Sequence, residues 1–179
     1  RHTRFRNVTG VQTCALPIYP QYAERARAWD GKLRDVNEWL VEIGWRAPAA
    51  APRSEPTKVT YHDSCHLAHG QKITAPPRGI LKSIPGVTLT ELNESTWCCG
   101  AAGVYSITQP EQSESLLTRK VGHIRATGAP VVVTANPGCH LQIARGLGDD
   151  RVEVVHPISL LADAYRRESS TVTSREVLS

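Results

Sequence analysis

The sequence predicts an α/β fold: a mainly parallel open sheet with flanking helices, cysteines at the C-terminal edge of the strands, and an N-terminal amphipathic helix. Three observations predict it. From Lys58 onward, short β-branched runs alternate with helix-like segments, the pattern of a parallel sheet with helices packed on it. Cys65, Cys98, Cys99 and Cys139 each follow one of those strand-like runs. Ahead of them, residues 19–46 carry apolar residues at spacings of three and four, closed by a Pro/Ala-rich stretch.

Taken in order, residues 1–18 stand apart. Val8 to Ile18 resembles the conceptual translation of a short-read sequencing adapter, so this segment is set aside as an artefact; the alternative is a disordered natural N-terminus. On either reading the natural chain is expected to extend further upstream. Residues 19–46 read as one helix from a preceding domain, with Trp29, Leu33, Val36, Leu40 and Ile43 forming its stripe and Gly44 ending it. Trp29, Trp39 and Trp45 read as core or docking contacts. Residues 47–56, with Pro48, Pro52 and Pro56, form a linker.

Residues 57–167 form the cysteine-rich domain. Val59 to His62 reads as a strand, and Pro77 to Ile84 as a short helix with Ile80, Leu81 and Ile84 on one face. Val87 to Leu92 alternates as a second strand. Thr108-Gln109-Pro110-Glu111 resembles a capping box opening a helix with Leu117, Val121 and Ile124, closed by Gly128. Val131 to Val133 is a buried strand. Asn136-Pro137 then starts a helix whose Leu141, Ala144 and Leu147 are expected to face the sheet. Val152 to Val155 is a fourth strand, and Pro157 to Arg166 a last helix with Leu160, Leu161 and Tyr165. Residues 168–179 read as a polar, disordered tail.

Composition narrows the function classes. The net charge of +4 hints at nucleic acid. Taking Arg1, Arg4 and Arg6 from the 21 Lys and Arg leaves 18 against 17 Asp and Glu, a net of +1, and no phosphate-binding stripe remains. Setting aside Cys14 leaves four of the five cysteines. No run of about 18 apolar residues and no secretory signal is legible, which predicts a cytoplasmic location. No P-loop and no Ser-His-acid arrangement is evident, and Gly100 to Gly103 is too short for a dinucleotide fingerprint.

In an open parallel sheet, ligand sites lie outside the carboxyl ends of the strands, so the four cysteines can converge. Cys65 and Cys139 also fall in the first turn of expected helices, where the dipole favours thiolate. Gly100 and Gly103 allow the close backbone approach a cluster-binding loop needs. Four thiolates suit a structural zinc or a [4Fe–4S] cluster. No C-x-x-C pair is present, since Gln142 stands three after Cys139. Adjacent Cys98 and Cys99 suit a larger cluster, or a reversible vicinal disulfide, better than one tetrahedral ion. The bland alternative is four buried small hydrophobes. His62, His66 and His69 are auxiliary candidates as ligands or proton relays, or else a locally hydrogen-bonded helix face; His156 ends the fourth strand at the same edge. His123 is expected to face solvent.

The blocks Tyr61-His62-Asp63-Ser64-Cys65-His66-Leu67-Ala68-His69, Trp97-Cys98-Cys99-Gly100-Ala101-Ala102-Gly103 and Asn136-Pro137-Gly138-Cys139 resemble the cysteine-rich CCG domain. Within it, the stretch from about Tyr19 to Arg166 is similar to the C-terminal part of glycolate oxidase iron–sulfur subunits. That resemblance implies a non-catalytic electron-transfer subunit. It would carry electrons from flavin-containing glycolate oxidase subunits, which oxidise glycolate to glyoxylate, toward quinone, in a complex peripheral at the inner face of the cytoplasmic membrane. It also implies an N-terminal ferredoxin-like domain with C-x-x-C-x-x-C-x-x-x-C-P runs, absent from this chain, and hence a C-terminal fragment. In related heterodisulfide reductases a non-cubane [4Fe–4S] cluster uses one further cysteine; Gln142 stands there in this chain. Three functions are therefore carried forward: iron–sulfur electron transfer, a docking module holding zinc or no metal, and a lactate-utilisation or heterodisulfide-reductase-type subunit.

Overall fold

The computed structural model describes residues 20–49 and 56–176. The adapter-like segment 1–18, the linker core 50–55 and residues 177–179 lie outside that description.

The chain builds a sheet of four strands: β1 (Thr57–His62), β2 (Val87–Glu91), β3 (Val131–Thr134) and β4 (Glu153–Val155), in the order β2-β1-β3-β4 with every pair parallel. Parallel strands need crossover connections, and the helices expected between them supply these: α3 (Ala75–Ser83), α5 (Pro110–Thr127) and α6 (Pro137–Leu147), followed by α7 (Pro157–Glu176). A short helix α4 (Tyr105–Thr108) precedes α5.

The alternation of side chains along β1 and β3 sorts two cores. Val59, Tyr61, Val131 and Val133 join Ile80, Leu81 and Ile84 from around α3 and Leu160, Leu161 and Ala164 of α7. Val132 sits in the second core with Leu117, Val121 and Ile124 of α5 and Ile143 and Leu147 of α6. Cys99 and Cys139 belong to that second core. Because successive residues of a strand point to opposite faces, His62 leaves β1 on the side opposite Tyr61. The sheet thereby aims a histidine at the two cysteines.

Several expectations are corrected. Residues 19–46 are not one helix: a 3-10 turn (Pro20–Tyr22) leads α1 (Ala23–Asp30), and α2 (Val36–Glu42) follows a break. Asp35 causes the restart, its carboxylate accepting the Asn37 amide hydrogen as an N-cap at 2.9 Å. Trp29 and Trp39 are exposed, and the apolar stripe does not form a core face; Leu40 and Trp45 pack on the α3/α7 side of the sheet. Tyr165 Oη donates to the Arg46 carbonyl, and Arg46 pairs with Glu168 at 2.8 Å. The capping box is absent: Thr108 ends α4, and Gln109, the cap of α5, makes no side-chain bond. In α6 the inward face is Cys139, Gln142, Ile143 and Leu147, and Leu141 is 71% exposed. Helix α7 continues to Glu176, so Glu168 to Glu176 is helical where a disordered tail was expected. His123 is only partly exposed, 3.3 Å from Glu94.

Candidate metal centre

In the order β2-β1-β3-β4 the chain runs outward from β1 to β2, then returns across β1 to β3. The reversal lies between β1 and β3, and a crevice opens where neighbouring connections leave to opposite sides. His62 ends β1 beside Thr134, its register partner at the end of β3. Cys65 follows β1 by three residues and Cys139 follows β3 by five; the loop after β2 brings in Cys98 and Cys99.

These thiols meet. The ligand atoms of His62, Cys99 and Cys139 lie within 4.8 Å of one another, and all three residues are buried. Cys65 lies near enough to Cys98, and Cys99 to Cys98 and Cys139, for these thiols to shift one another's ionisation. All four cysteines are free, so no vicinal disulfide is formed. Cys65 and Cys99, with the Gly100 amide at 3.3 Å, hold the Cys98 thiol far below its usual value. Cys99, with His62 alongside, pulls Cys139 down to about 5. Cys65 and Cys99 are pushed up, because the neighbouring sulfurs favour their protonated form and burial disfavours the thiolate. A bound cation would favour the thiolate form at all four positions.

His62 has no exposed surface, and its ring nitrogens have no partner of good hydrogen-bond geometry; the Cys139 thiol is the neighbour it acts on. A buried imidazole nitrogen left unbonded costs about 1–3 kcal/mol. Its company of two cysteine sulfurs is a donor set that fits zinc or an iron–sulfur cluster.

The loop around Cys98 and Cys99 is fixed at both ends by α5. Lys120 Nζ donates to the Glu94 carbonyl, and Ser113 Oγ donates to the Gly100 carbonyl at 2.8 Å. Gln142 Nε2 donates to Ser113 Oγ at 3.1 Å, so the residue at the further-cysteine position braces the loop from α6. Gly100 has φ +88°, and a Cβ there would lie 2.4 Å from the Ser113 carbonyl oxygen, so the close approach expected of it is made. Gly103 also has positive φ but faces open space.

The Cys65 loop is tied to the Cys98 loop by a buried ion pair. Arg78 donates bidentately to Asp63, at 2.8 and 2.7 Å, with Asp63 almost wholly buried. The Asp63 amide donates to the Ser95 carbonyl at 3.1 Å. Asp63 and Glu91 hold the Arg78 guanidinium above its ordinary value, and it lies 5.1 Å over the Tyr61 ring. On the β3 side, the Asn136 side chain caps α6 by accepting the Cys139 amide at 3.1 Å. Cys139 is therefore in a true helical first turn, as expected. Cys65 instead precedes a wide π-helical turn, His66–Gln71.

The other histidines stay apart. His66 and His69 are exposed, and His69 Nε2 lies 3.0 Å from the Thr96 carbonyl. His156 accepts the Ile158 amide on Nδ1 at 3.2 Å and lines a cavity of about 340 Å³ with Thr134, Asn136, Pro137, His140 and Leu141. The sequence did not single out Lys120, Ser113 or the Asp63–Arg78 pair; only the Asp beside Cys65 carried a local signal.

Comparison with known proteins agrees with this geometry. Residues 59–144 match the family described as Cysteine-rich domain. The chain is 39% identical over 155 residues to the probable glycolate oxidase iron-sulfur subunit of Bacillus subtilis, covering 84% of this chain and 35% of that protein. It is 36% identical over 152 residues to a fumarate reductase (CoM/CoB) subunit of Methanothermobacter marburgensis, covering 82% and 29%. It is 31% identical over 144 residues to lactate utilization protein A of Shouchella clausii, covering 79% and 59%. The chain therefore spans about a third of the first two relatives and about three fifths of the third. The chain carries a CCG cysteine-rich domain.

Proposed function

We propose that this cysteine-rich domain is an electron-transfer module of an oxidoreductase complex, with Cys65, Cys98, Cys99 and Cys139 holding an iron–sulfur cluster and His62 as an auxiliary donor. The observation that carries the reading is the pair of buried free thiols, Cys99 and Cys139, whose sulfurs lie within 4.8 Å of the buried His62 imidazole at the sheet's switch point. A bound cluster supplies reversible one-electron storage. The chain's own residues supply the rest. Gly100 and Ala101 amides aim at Cys98 and Cys99, where donors to sulfur favour the reduced, more negative state. Burial of Cys99 and Cys139 keeps water from their sulfurs. Asp63, Arg78, Lys120, Ser113 and Gln142 hold the three cysteine-bearing segments in register.

Substrate oxidation belongs to partner subunits in this reading: flavin subunits that oxidise glycolate, with electrons passing on toward quinone. In this reading a ferredoxin-like domain of the complete subunit would link the two. The relatives' names support a subunit role, and glycolate is the substrate we favour over lactate because the glycolate oxidase relative, at 39%, is more similar to this chain than the lactate utilization protein at 31%. Among the described residues no helix is long and apolar enough to cross a membrane; in this reading the complex sits peripherally at the membrane. The exposed Trp97, Val104, Ile107 and Leu141 lie on the segments that carry the cysteines and offer contact area there.

Anaerobic expression from Tyr19 with iron and sulfide supply tests the reading. Stoichiometric iron and acid-labile sulfide, lost in a Cys98→Ser/Cys99→Ser variant, are expected. Zinc alone, or metal content unchanged by that double substitution, would overturn it. One observation favours a second reading: His62, Cys99 and Cys139 alone approximate a zinc donor set. Zinc bound at one equivalent and lost in His62→Leu, with no sulfide, would select it.

A further inference from the structure

A cavity of about 340 Å³ opens at the C-terminal edge of β3 and β4, lined by Thr134, Asn136, Pro137, His140, Leu141 and His156. It shares its walls with the thiol centre. Asn136 Oδ1 accepts the Cys139 amide hydrogen at 3.1 Å. Thr134 Oγ1 lies 3.5 Å from the Oγ of Ser64, the residue before Cys65. The first turn of α6 separates the two spaces: Cys139 is buried on its inner face, and the next two residues, His140 and Leu141, line the cavity.

The lining decides what the cavity can take. It is largely apolar and carries no Lys, Arg, Asp or Glu, so a carboxylate or phosphate would lose its hydration without meeting a counter-charge. Nor is it a metal site: among the described residues the one group of three converging donors is His62, Cys99 and Cys139. The imidazoles are its distinctive polar groups. His156 accepts the Ile158 amide on Nδ1 at 3.2 Å, which leaves the proton of the neutral ring on Nε2, and burial favours that neutral form. The half-buried His140 imidazole enters no hydrogen bond with the described residues. An apolar wall with a few neutral donors suits a flat, uncharged ring whose oxygens accept hydrogen bonds, and the volume falls within the range of about 300–1,000 Å³ usual for small-molecule sites.

We propose that this cavity seats the ring of a quinone, the electron acceptor of the module, with the His140 imidazole donating a hydrogen bond to a ring carbonyl. The proposal rests on the electron-transfer reading and adds to it the place where the acceptor binds. Reduction of a quinone to its hydroquinone consumes two electrons, which the flavin-containing partners supply in that reading, and two protons. Half-exposed His140 connects the cavity to solvent and gives those protons a route to the ring oxygen it touches. A 2-hydroxy acid, being an anion, is excluded by the same lining.

The test measures binding, not turnover, by isothermal titration calorimetry of the full chain with a water-soluble ubiquinone of one isoprene unit, in the iron-loaded and the chelator-stripped protein. Saturable binding to both is expected. It should weaken by about tenfold or more in His140→Leu, which removes the donor, and in Leu141→Trp, which fills the cavity from a position 71% exposed. Iron content should stay at the parental level in both variants. No saturable binding to the parent would overturn the proposal. Parental affinity in either folded variant would also overturn it, and would mark adventitious partition onto exposed apolar surface. Displacement of the quinone by glycolate or lactate would do the same, because it would make the cavity a carboxylate site. Circular dichroism reports folding, and if one variant misfolds the other decides. A parent that takes up no iron and sulfide would sink the electron-transfer reading; a loaded parent that binds no quinone would sink only the acceptor seat.

Discussion

At the scale of single residues, Gly100 is where the cysteine loop has least freedom. Its φ of +88° disfavours any L side chain, and a Cβ would meet backbone, the Ser113 carbonyl at 2.4 Å. Gly100→Ala is expected to lower stability by at least about 2 kcal/mol, read from the urea midpoint, and to lose metal. Gly103→Ala, with positive φ but open space, is expected to cost about 1 kcal/mol and retain metal. His156 gives the pH dependence. Burial lowers its pKa, so the folded state resists a proton that the unfolded chain accepts near pH 6.5. The stability it contributes is complete above that pH and falls as the solution is acidified below it. His156→Gln is expected to flatten this part of the stability profile of the apoprotein; an unchanged slope between pH 7 and 5 would assign it elsewhere. The cysteines were legible from one address, the end of a strand. His62 was legible only as one of several histidines. What distinguishes it is the parity of β1, which puts it opposite Tyr61, whereas His66 and His69 sit on an exposed turn. Lys120 was illegible, because nothing in Arg119-Lys120-Val121 tells which cation turns inward.

At the scale of elements, α6 shows how one helix's phase decides both core and site. Asn136 and Pro137 fix its start, as the sequence predicts. The inward face then takes Cys139, Gln142 and Ile143 rather than Leu141 and Ala144. Apolar letters alone favour Leu141 and Ala144 and leave Gln142 out. Gln142 is buried because its amide is satisfied by Ser113. Ile143→Ala is expected to destabilise by about 2–5 kcal/mol, whereas Leu141→Ala should stay within about 0.5 kcal/mol. Equal effects in denaturant melts would mean the phase is wrong. The N-terminal helices fail in the opposite way. An apolar spacing of three and four continued through Leu33, yet Gly31 and the Asp35 cap break the helix between Asp30 and Val36. The last helix, α7, was cut short by its polar composition, which marks a solvated face more often than a broken helix.

At the scale of the whole molecule, alternation of strands and helices predicted a parallel sheet, and the four strands formed it. Strand order was beyond that pattern, since a strand does not record which neighbour it will take. The order β2-β1-β3-β4 nevertheless decides the site, because it sets the ends of β1 and β3 side by side, with His62 opposite Thr134, and brings the β2 loop across. Three segments far apart in sequence then depend on one another. They are joined by the Asp63–Arg78 pair, by the Asp63 amide on the Ser95 carbonyl and by the two carbonyl clamps from α5. A group ligated by all three segments binds only the folded chain, so it stabilises by mass action, by about 4 kcal/mol at a thousand times its dissociation constant. In a domain of this size each kcal/mol moves the melting temperature by about 2–4 °C. The anaerobically loaded protein is therefore expected to melt about 8–16 °C above the chelator-stripped protein. In Cys98→Ser/Cys99→Ser the difference should vanish, while the stripped variant melts somewhat below the stripped parent, since a serine hydroxyl at Cys99 is buried in the apolar core. A loaded protein that melts with the stripped one would mean that the metal does not tie the three segments together, whatever its stoichiometry.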